Sequence, residues 1–114
     1  MRLVVIATAS IAVPTLRALA QDERFDVVGV VTQPDRPKGR KQILTPTPVK
    51  REARVLDLPV LSPGKIGEED SVAALRKLAP DLLVVAAYGQ HIPPPVLAIP
   101  LQESVNLHPS LLPK

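Results

Sequence analysis

Short apolar runs alternate along the chain with stretches in which apolar residues recur every three or four positions. The runs are rich in Val, Leu and Ile and have the length of strands, whereas the other stretches have the periodicity of helices. Strands are predicted at residues 3–7, 27–32, 59–61, 82–87 and 104–107.

Four helical segments are predicted between these strands. Apolar spacing over residues 11–19 predicts the first helix, with Ser10 as its N-cap and Pro14 tolerated in its first turn. Thr47 followed by Pro48 is typical of an N-cap with proline at the first helical position, and this helix is predicted to end near residue 56. A third helix is predicted over residues 70–78 and at most one helical turn over residues 96–99.

The alternation of strand and helix indicates the fold class. Strands that are apolar on both faces belong to parallel sheets with helices on each side. The sequence therefore predicts an α/β fold, a Rossmann-like open, mostly parallel sheet with helices on both faces and right-handed crossovers. Ligands bind such sheets beyond the carboxyl ends of the strands. The candidate site segments are residues 7–10, 32–35, 87–90 and 106–113.

Length and composition narrow the class of protein. A chain of 114 residues with 46% hydrophobic and 22% charged residues predicts one globular domain. Phe25 and Tyr88 are the only aromatic residues, which argues against a base-stacking platform. The absence of Cys excludes disulfides, Cys-based zinc sites and thiol nucleophiles, and favours the cytoplasm. No segment has the length and apolar character of a transmembrane helix, so no membrane association is expected.

Proline and positive charge are concentrated in one part of the chain. Residues 36–54 contain seven basic residues and one acid, a local charge of +6, while the whole chain carries +3 and the remainder therefore −3. Residues 33–47 are predicted to be a basic, proline-rich loop, kept out of helix and strand by its prolines and Gly39, with Asp35 as the local counter-charge. An anionic partner is one interpretation. A solvated loop rich in Lys and Arg is the other.

Two common types of site do not fit the sequence. The turn after the first predicted strand, residues 7–10, contains no glycine, which argues against a dinucleotide fingerprint and a P-loop. His91 and His108 are the only histidines and neither lies in a metal-ligand spacing, so no metal site is predicted.

The last predicted strand carries residues suited to acyl transfer. Asn106 and His108 are two positions apart and can project from the same face of a strand. An Asn amide can stabilise an oxyanion, and an imidazole beside it can donate a hydrogen bond or move a proton. Two loop residues with local hydrogen-bond partners are the alternative.

The residues around these two side chains form a known motif. Residues 106–113, Asn-Leu-His-Pro-Ser-Leu-Leu-Pro, resemble the N-x-H-x-S-L-L-P signature of the folate-dependent formyltransferases. Residues 30–50, from Val-Val-Thr-Gln-Pro-Asp-Arg-Pro to Leu-Thr-Pro-Thr-Pro-Val-Lys, are similar to the basic loop of the branch that acts on methionyl-tRNA. The segment from Pro80-Asp81-Leu82 to Ala87-Tyr88-Gly89-Gln90 is similar as well, and the resemblance extends over residues 1–114.

The resemblance implies a reaction and a set of residue roles. Enzymes of this branch transfer the formyl group of 10-formyltetrahydrofolate to the α-amino group of methionyl-initiator tRNA, for translation initiation. Asn106 then corresponds to the residue that binds the formyl oxygen, and His108 to the one that stabilises the tetrahedral intermediate and assists proton transfer. The remaining expected site residues are Ser110, Leu111, Leu112 and Pro113 in the folate pocket and Arg36, Lys38, Arg40 and Lys41 against the tRNA acceptor end.

Two departures from the family pattern add further expectations. Residues 7–9 are Ala-Thr-Ala where the family usually has Gly-Thr-Pro. The family's third catalytic residue, an Asp, and its C-terminal tRNA-binding domain would both follow residue 114. The 114 residues are therefore expected to be the truncated N-terminal part of a formyltransferase domain, inactive alone and able to self-associate through an exposed sheet edge. A non-catalytic relative that binds RNA or a partner, and a sibling enzyme acting on another amine, are the alternatives.

Overall fold

A five-stranded parallel sheet forms the centre of the chain in a computed structural model that describes residues 1–107. The strand order is β5-β2-β1-β6-β7, and β3 and β4 form a separate antiparallel hairpin. The strands are β1 (Arg2–Ala7), β2 (Asp26–Val31), β3 (Arg36–Lys38), β4 (Ile43–Thr45), β5 (Val60–Leu61), β6 (Leu82–Ala86) and β7 (Glu103–Asn106).

Helices cover both faces of the sheet. They are α1 (Val13–Gln21), α2 (Pro48–Val55), α3 (Glu69–Lys77) and α4 (Pro94–Leu97). Leu16 of α1 and Ala53 of α2 are buried in the cluster on one face, and Leu75 of α3 and Val96 of α4 in the cluster on the other. The predicted fold, a Rossmann-like, mostly parallel sheet with helices on both faces, is confirmed.

The alternation of side chains along β1 shows why the strands are apolar throughout. Leu3, Val5 and Ala7 pack with α1 and α2, whereas Val4 and Ile6 pack on the opposite face. All five side chains are at most 1% exposed. A central parallel strand that is buried on both faces needs a continuous apolar run.

The helix starts agree with the sequence prediction at one position and differ at another. Thr47 is the N-cap of α2, and its Oγ1 accepts a hydrogen bond of 3.0 Å from the backbone N–H of Lys50. Ser10 is not an N-cap: it lies in a short 3₁₀ turn, Ser10–Ala12, that leads directly into α1. The extended backbone before that turn is at Ala9, so the chain turns one residue earlier than expected.

The segment 33–47 is not a loop without regular structure, contrary to the prediction. Pro37 pairs with Leu44 in the centre of the β3–β4 hairpin. Each strand of a two-stranded ribbon is an edge strand, where proline is tolerated. Gly39 at φ +75° and Gln42 at φ +51° supply the turn, and the Gln42 N–H donates to the Gly39 carbonyl over 3.2 Å. Proline and glycine thus shape a hairpin here.

The strand β7 lies at an edge of the sheet. Among residues 1–107, no strand pairs with its outer side. The expected self-association through this edge is not tested and stays a prediction. None of the helices within residues 1–107 is long and apolar enough to span a membrane.

Candidate functional site

The carboxyl ends of β1, β2 and β6 meet, as the fold prediction requires. The backbone N–H of Gln33 donates to Thr8 Oγ1 over 3.3 Å. The N–H groups of Thr8 and Ala9 both donate to the carbonyl of Ala87, over 3.0 and 3.2 Å. Three of the four predicted site segments therefore form one continuous edge. Of the fourth, residue 106 ends the neighbouring strand β7 and residue 107 follows it.

The turn after β1 has a particular hydrogen-bond arrangement. Because Thr8 and Ala9 share the Ala87 carbonyl, these two N–H groups are already engaged within the protein. Ala87 has a φ of +50°, the left-handed region that non-glycine residues rarely adopt. This backbone turn after β6 brings the carbonyl to the β1 turn and fixes the two strand ends to each other.

An open cleft of about 440 Å³ lies between the hairpin and these strand ends. This hairpin cleft is lined by Thr8, Gln33, Arg36, Lys38, Thr45 and Gly89, among others. In the hairpin Arg36 pairs with Thr45 and Lys38 with Ile43, so both cations project from one face of the ribbon. The hairpin places two predicted tRNA-binding residues in a cleft at the edge where ligands bind this type of fold.

The predicted tRNA-binding cations lack acidic partners. Within residues 1–107, no carboxylate lies within 4.0 Å of the side-chain nitrogens of Arg36, Lys38, Arg40 or Lys41, and all four residues are exposed. The expectation that Asp35 is their counter-charge is wrong, because Asp35 Oδ1 accepts from Lys50 Nζ over 2.9 Å. A lysine at the start of α2 is closer in space than the hairpin cations, and the hairpin therefore keeps its full positive charge.

The acid on α2 is also engaged elsewhere. Glu52 forms an ion pair of 3.0 Å with Arg17 of α1. This hydrogen-bonded guanidinium lowers the pKa of the Glu52 carboxyl. The pair joins two helices on one face of the sheet. Glu52 therefore does not neutralise the cations of the hairpin.

Asn106 ends β7 beside a second cleft. It is exposed, pairs with Val85 in the parallel register and makes no side-chain hydrogen bond to another residue of the described part of the chain. This Asn106 cleft has a volume of about 590 Å³ and is also lined by Val85, Gln90, His91 and Ile92. The expected neighbour His108, and Ser110, Leu111, Leu112 and Pro113, lie outside the described residues.

Tyr88 lines the hairpin cleft. It is 3% exposed and packs in the cluster with Ile66 and Ile92. Burial raises the pKa of its phenol, which keeps the group protonated at neutral pH. The protonated phenol therefore forms part of the wall of the hairpin cleft.

The sequence interpretation missed a pair of glutamines. Gln33 follows β2 and Gln90 follows the turn after β6, and Gln90 Nε2 donates to Gln33 Oε1 over 2.7 Å. Both lay within the predicted site segments, but 57 residues separate them and no spacing rule links them. The only available signal was a polar residue after each of two buried strands.

Comparison with sequences of known proteins gives closely related chains. A family model described as formyl transferase matches residues 1–114. The methionyl-tRNA formyltransferase of Bacillus thuringiensis subsp. konkukian is 50% identical over 113 residues, which are 99% of this chain. Those of Bacillus mycoides and Pelotomaculum thermopropionicum are 51% and 50% identical over the whole chain. The chain spans about a third of the length of these relatives, 36% in each case.

Solved structures with the same fold are also formyltransferases by their descriptions. Phosphoribosylglycinamide formyltransferase from Bacillus halodurans matches with a TM-score of 0.68 and 22% identity, over 99% of this chain and 58% of that one. Glycinamide ribonucleotide transformylase 1 from Geobacillus kaustophilus matches with a TM-score of 0.62 and 24% identity, over 94% of this chain and 57% of that one. At these identities the likeness shows the fold alone. Because the family model matches every residue from 1 to 114, the chain belongs to the formyl transferase family.

Proposed function

We propose that the chain is the N-terminal part of an enzyme that transfers the formyl group of 10-formyltetrahydrofolate to the α-amino group of methionyl-initiator tRNA. The reaction would serve translation initiation in the cytoplasm. The observation that carries the choice of substrate is the basic hairpin. Its four cations have no acidic partner within residues 1–107, and two of them line the cleft at the carboxyl ends of the strands.

The hairpin favours a nucleic-acid substrate over a small amine. Arg36 and Lys38 line the hairpin cleft, while Arg40 and Lys41 lie in the turn at the tip. Such an array of exposed cations suits successive phosphates of an RNA strand. The identity of about 50% to methionyl-tRNA formyltransferases supports the same choice. The structural likeness to glycinamide ribonucleotide enzymes does not decide it, because one fold serves several substrates.

The proposed transfer assigns a step to Asn106. The methionine amino nitrogen attacks the formyl carbon, a new C–N bond forms, the bond from the formyl carbon to N10 of the folate breaks, and the proton that leaves the amine is taken up at N10. The Asn106 amide N–H donates to the formyl oxygen as negative charge develops there. His108 would stabilise the same intermediate and move the proton.

The Asn106 cleft has a lining that suits the formyl donor. Val85 and Ile92 give apolar walls and Asn106 a polar amide, the mixture that a flat heterocycle with hydrogen-bonding edges requires. Ser110, Leu111, Leu112 and Pro113 would continue this pocket. Within residues 1–107 no cluster of three His, Asp or Glu side chains is arranged to hold a metal ion.

Kinetics of an Asn106→Ala variant tests the proposal. In the complete gene product, the variant should lower kcat for formylation of methionyl-tRNA by about 10²- to 10³-fold, the usual loss for an oxyanion donor. Gln102→Ala is the matched control, since Gln102 is an exposed amide just before β7 and should leave kcat unchanged.

The outcome separates the remaining alternatives. A change confined to KM would mean that Asn106 only binds substrate. A wild-type protein that binds RNA but transfers no formyl group would favour the non-catalytic relative. Transfer to a different amine would favour a sibling enzyme.

A further inference from the structure

The amide of Gln90 has one possible orientation. Its Nε2 donates to the backbone carbonyl of Gly64 over 3.0 Å, and its Oε1 accepts from the backbone N–H of Ile66 over 3.3 Å. A backbone carbonyl can only accept and a backbone N–H can only donate. If the amide were turned over, its oxygen would face the Gly64 carbonyl and its NH₂ group would face the Ile66 N–H. These two backbone groups therefore fix which end of the Gln90 amide carries the donors.

This orientation determines that of Gln33. The second N–H of Gln90 Nε2 donates to Gln33 over 2.7 Å, so Gln33 must present Oε1 there. The Gln33 NH₂ group therefore points away from Gln90. It lies beside Gly89, with Nε2 only 3.2 Å from the position that a Cβ at residue 89 would occupy. Gly89, at φ +98°, thus provides both the turn and the space for this amide.

The Gln33 NH₂ group lies at the hairpin cleft. Gln33 and Gly89 both line this cleft together with Arg36 and Lys38. Gln33 is 4% exposed, and within residues 1–107 its Nε2 donates to no acceptor. This nitrogen is not fully buried, so it is open to solvent at the cleft. An oxygen of a bound ligand can take the place of water as its acceptor.

We propose that Gln33 is a substrate-binding residue that donates from Nε2 to an acceptor oxygen at the 3′ end of the charged RNA, and that Gln90 is the residue that positions it. The acceptor is a phosphate, ribose or ester oxygen of the RNA, because the cations of the same cleft select an anionic strand over the neutral head of a folate. The inference rests on the proposed function and names a contact within it.

A Gln33→Glu substitution tests this contact in the complete gene product. The variant keeps an oxygen for Gln90 and replaces only the NH₂ group that faces the cleft. It should weaken binding of a methionylated acceptor-stem minihelix about 10-fold or more, and leave binding of a folate analogue unchanged. Gln42→Glu is the control, because it makes the same charge change at the exposed hairpin turn.

The pH dependence of Q33E separates a contact from a structural role. At lower pH the introduced carboxyl becomes protonated and again offers a donor at the same place. Its affinity for the minihelix, relative to that of Q42E, should therefore rise as the pH falls. A variant that only disturbs packing would show no such recovery.

A Gln90→Glu substitution tests the positioning role. Its Oε1 can still accept from the Ile66 N–H, but it no longer donates to Gln33 or to the Gly64 carbonyl. The Gln33 amide is then expected to turn over, to donate to the new carboxylate and to present Oε1 to the cleft. RNA binding should weaken although residue 90 does not line the hairpin cleft.

The results distinguish this inference from the proposed function. Thermal melting checks that each variant is folded. If Q33E melts at a temperature well below that of wild type, the binding measured for Q90E decides the test. If the wild-type protein binds the minihelix, and Q33E or Q90E binds it with the same affinity as Q42E, Gln33 does not have the proposed role. The proposed function would then still stand. Failure of the wild-type protein to bind the minihelix would contradict the proposed function itself.

Discussion

Single hydroxyl groups at the ends of elements hold the site edge in place. Thr47 Oγ1 accepts from the Lys50 N–H at the start of α2 and lies 2.7 Å from Thr32 Oγ1, directly after β2. Both threonines are buried, at 7% and 0% exposure. The Thr47 hydroxyl thus caps α2 and is also the hydrogen-bond partner of the buried Thr32 hydroxyl, one residue before Gln33.

This double role makes Thr47 sensitive to truncation. Thr47→Ala should lower the free energy of unfolding by about 2 to 3 kcal/mol, because it removes a cap worth about 1 kcal/mol and leaves the Thr32 hydroxyl unpaired. Urea denaturation of the complete gene product measures the change. Thr47→Ser keeps the hydroxyl and is the control. Equal losses in the two variants would show that the missing methyl group, and not the hydroxyl, is responsible.

The hairpin is the element on which the choice of substrate depends. If it binds RNA, Arg40→Ala with Lys41→Ala should weaken tRNA binding and reduce its salt dependence by about 0.7 to 0.9 log unit for each phosphate that the variant no longer neutralises. Titrations at several salt concentrations measure both quantities. Folate binding should be unchanged.

The same charge change on α2 provides the control. Arg51 and Arg54 are exposed cations outside the hairpin, and replacing both by Ala should alter the salt slope less. An unchanged affinity and slope in the hairpin variant would favour the solvated-loop interpretation of this segment.

Elements differ in how far the sequence predicts them. The strands β1, β2 and β6 are predictable because burial on both faces demands a continuous apolar run. The Thr47-Pro48 cap is predictable because its chemistry is local. The hairpin was missed because Pro37 and Gly39 are unfavourable local signals, while pairing with residues 43–45 depends on register across a turn. The contact between Gln33 and Gln90 was missed because only the assembled sheet brings them together.

The topology of the whole sheet explains why the two clefts lie on either side of β6. From β1 the chain builds outward through β2 to β5, then crosses to place β6 and β7 on the other side of β1. The direction in which successive strands are added to the sheet therefore reverses between β1 and β6. Open α/β sheets bind ligands at such a switch point. The hairpin lies on the β2 side and Asn106 on the β7 side. An acceptor held by the hairpin and a donor held beside Asn106 would meet over the turn after β6.

The acceptor preference of the complete gene product shows whether the hairpin selects an RNA substrate. Formyl transfer from 10-formyltetrahydrofolate is measured with methionyl-tRNA and with glycinamide ribonucleotide as competing acceptors. The account predicts a kcat/KM for methionyl-tRNA larger by about 10²-fold or more, since only the long anionic acceptor reaches both the hairpin cations and the site edge. A higher kcat/KM for the ribonucleotide would contradict it.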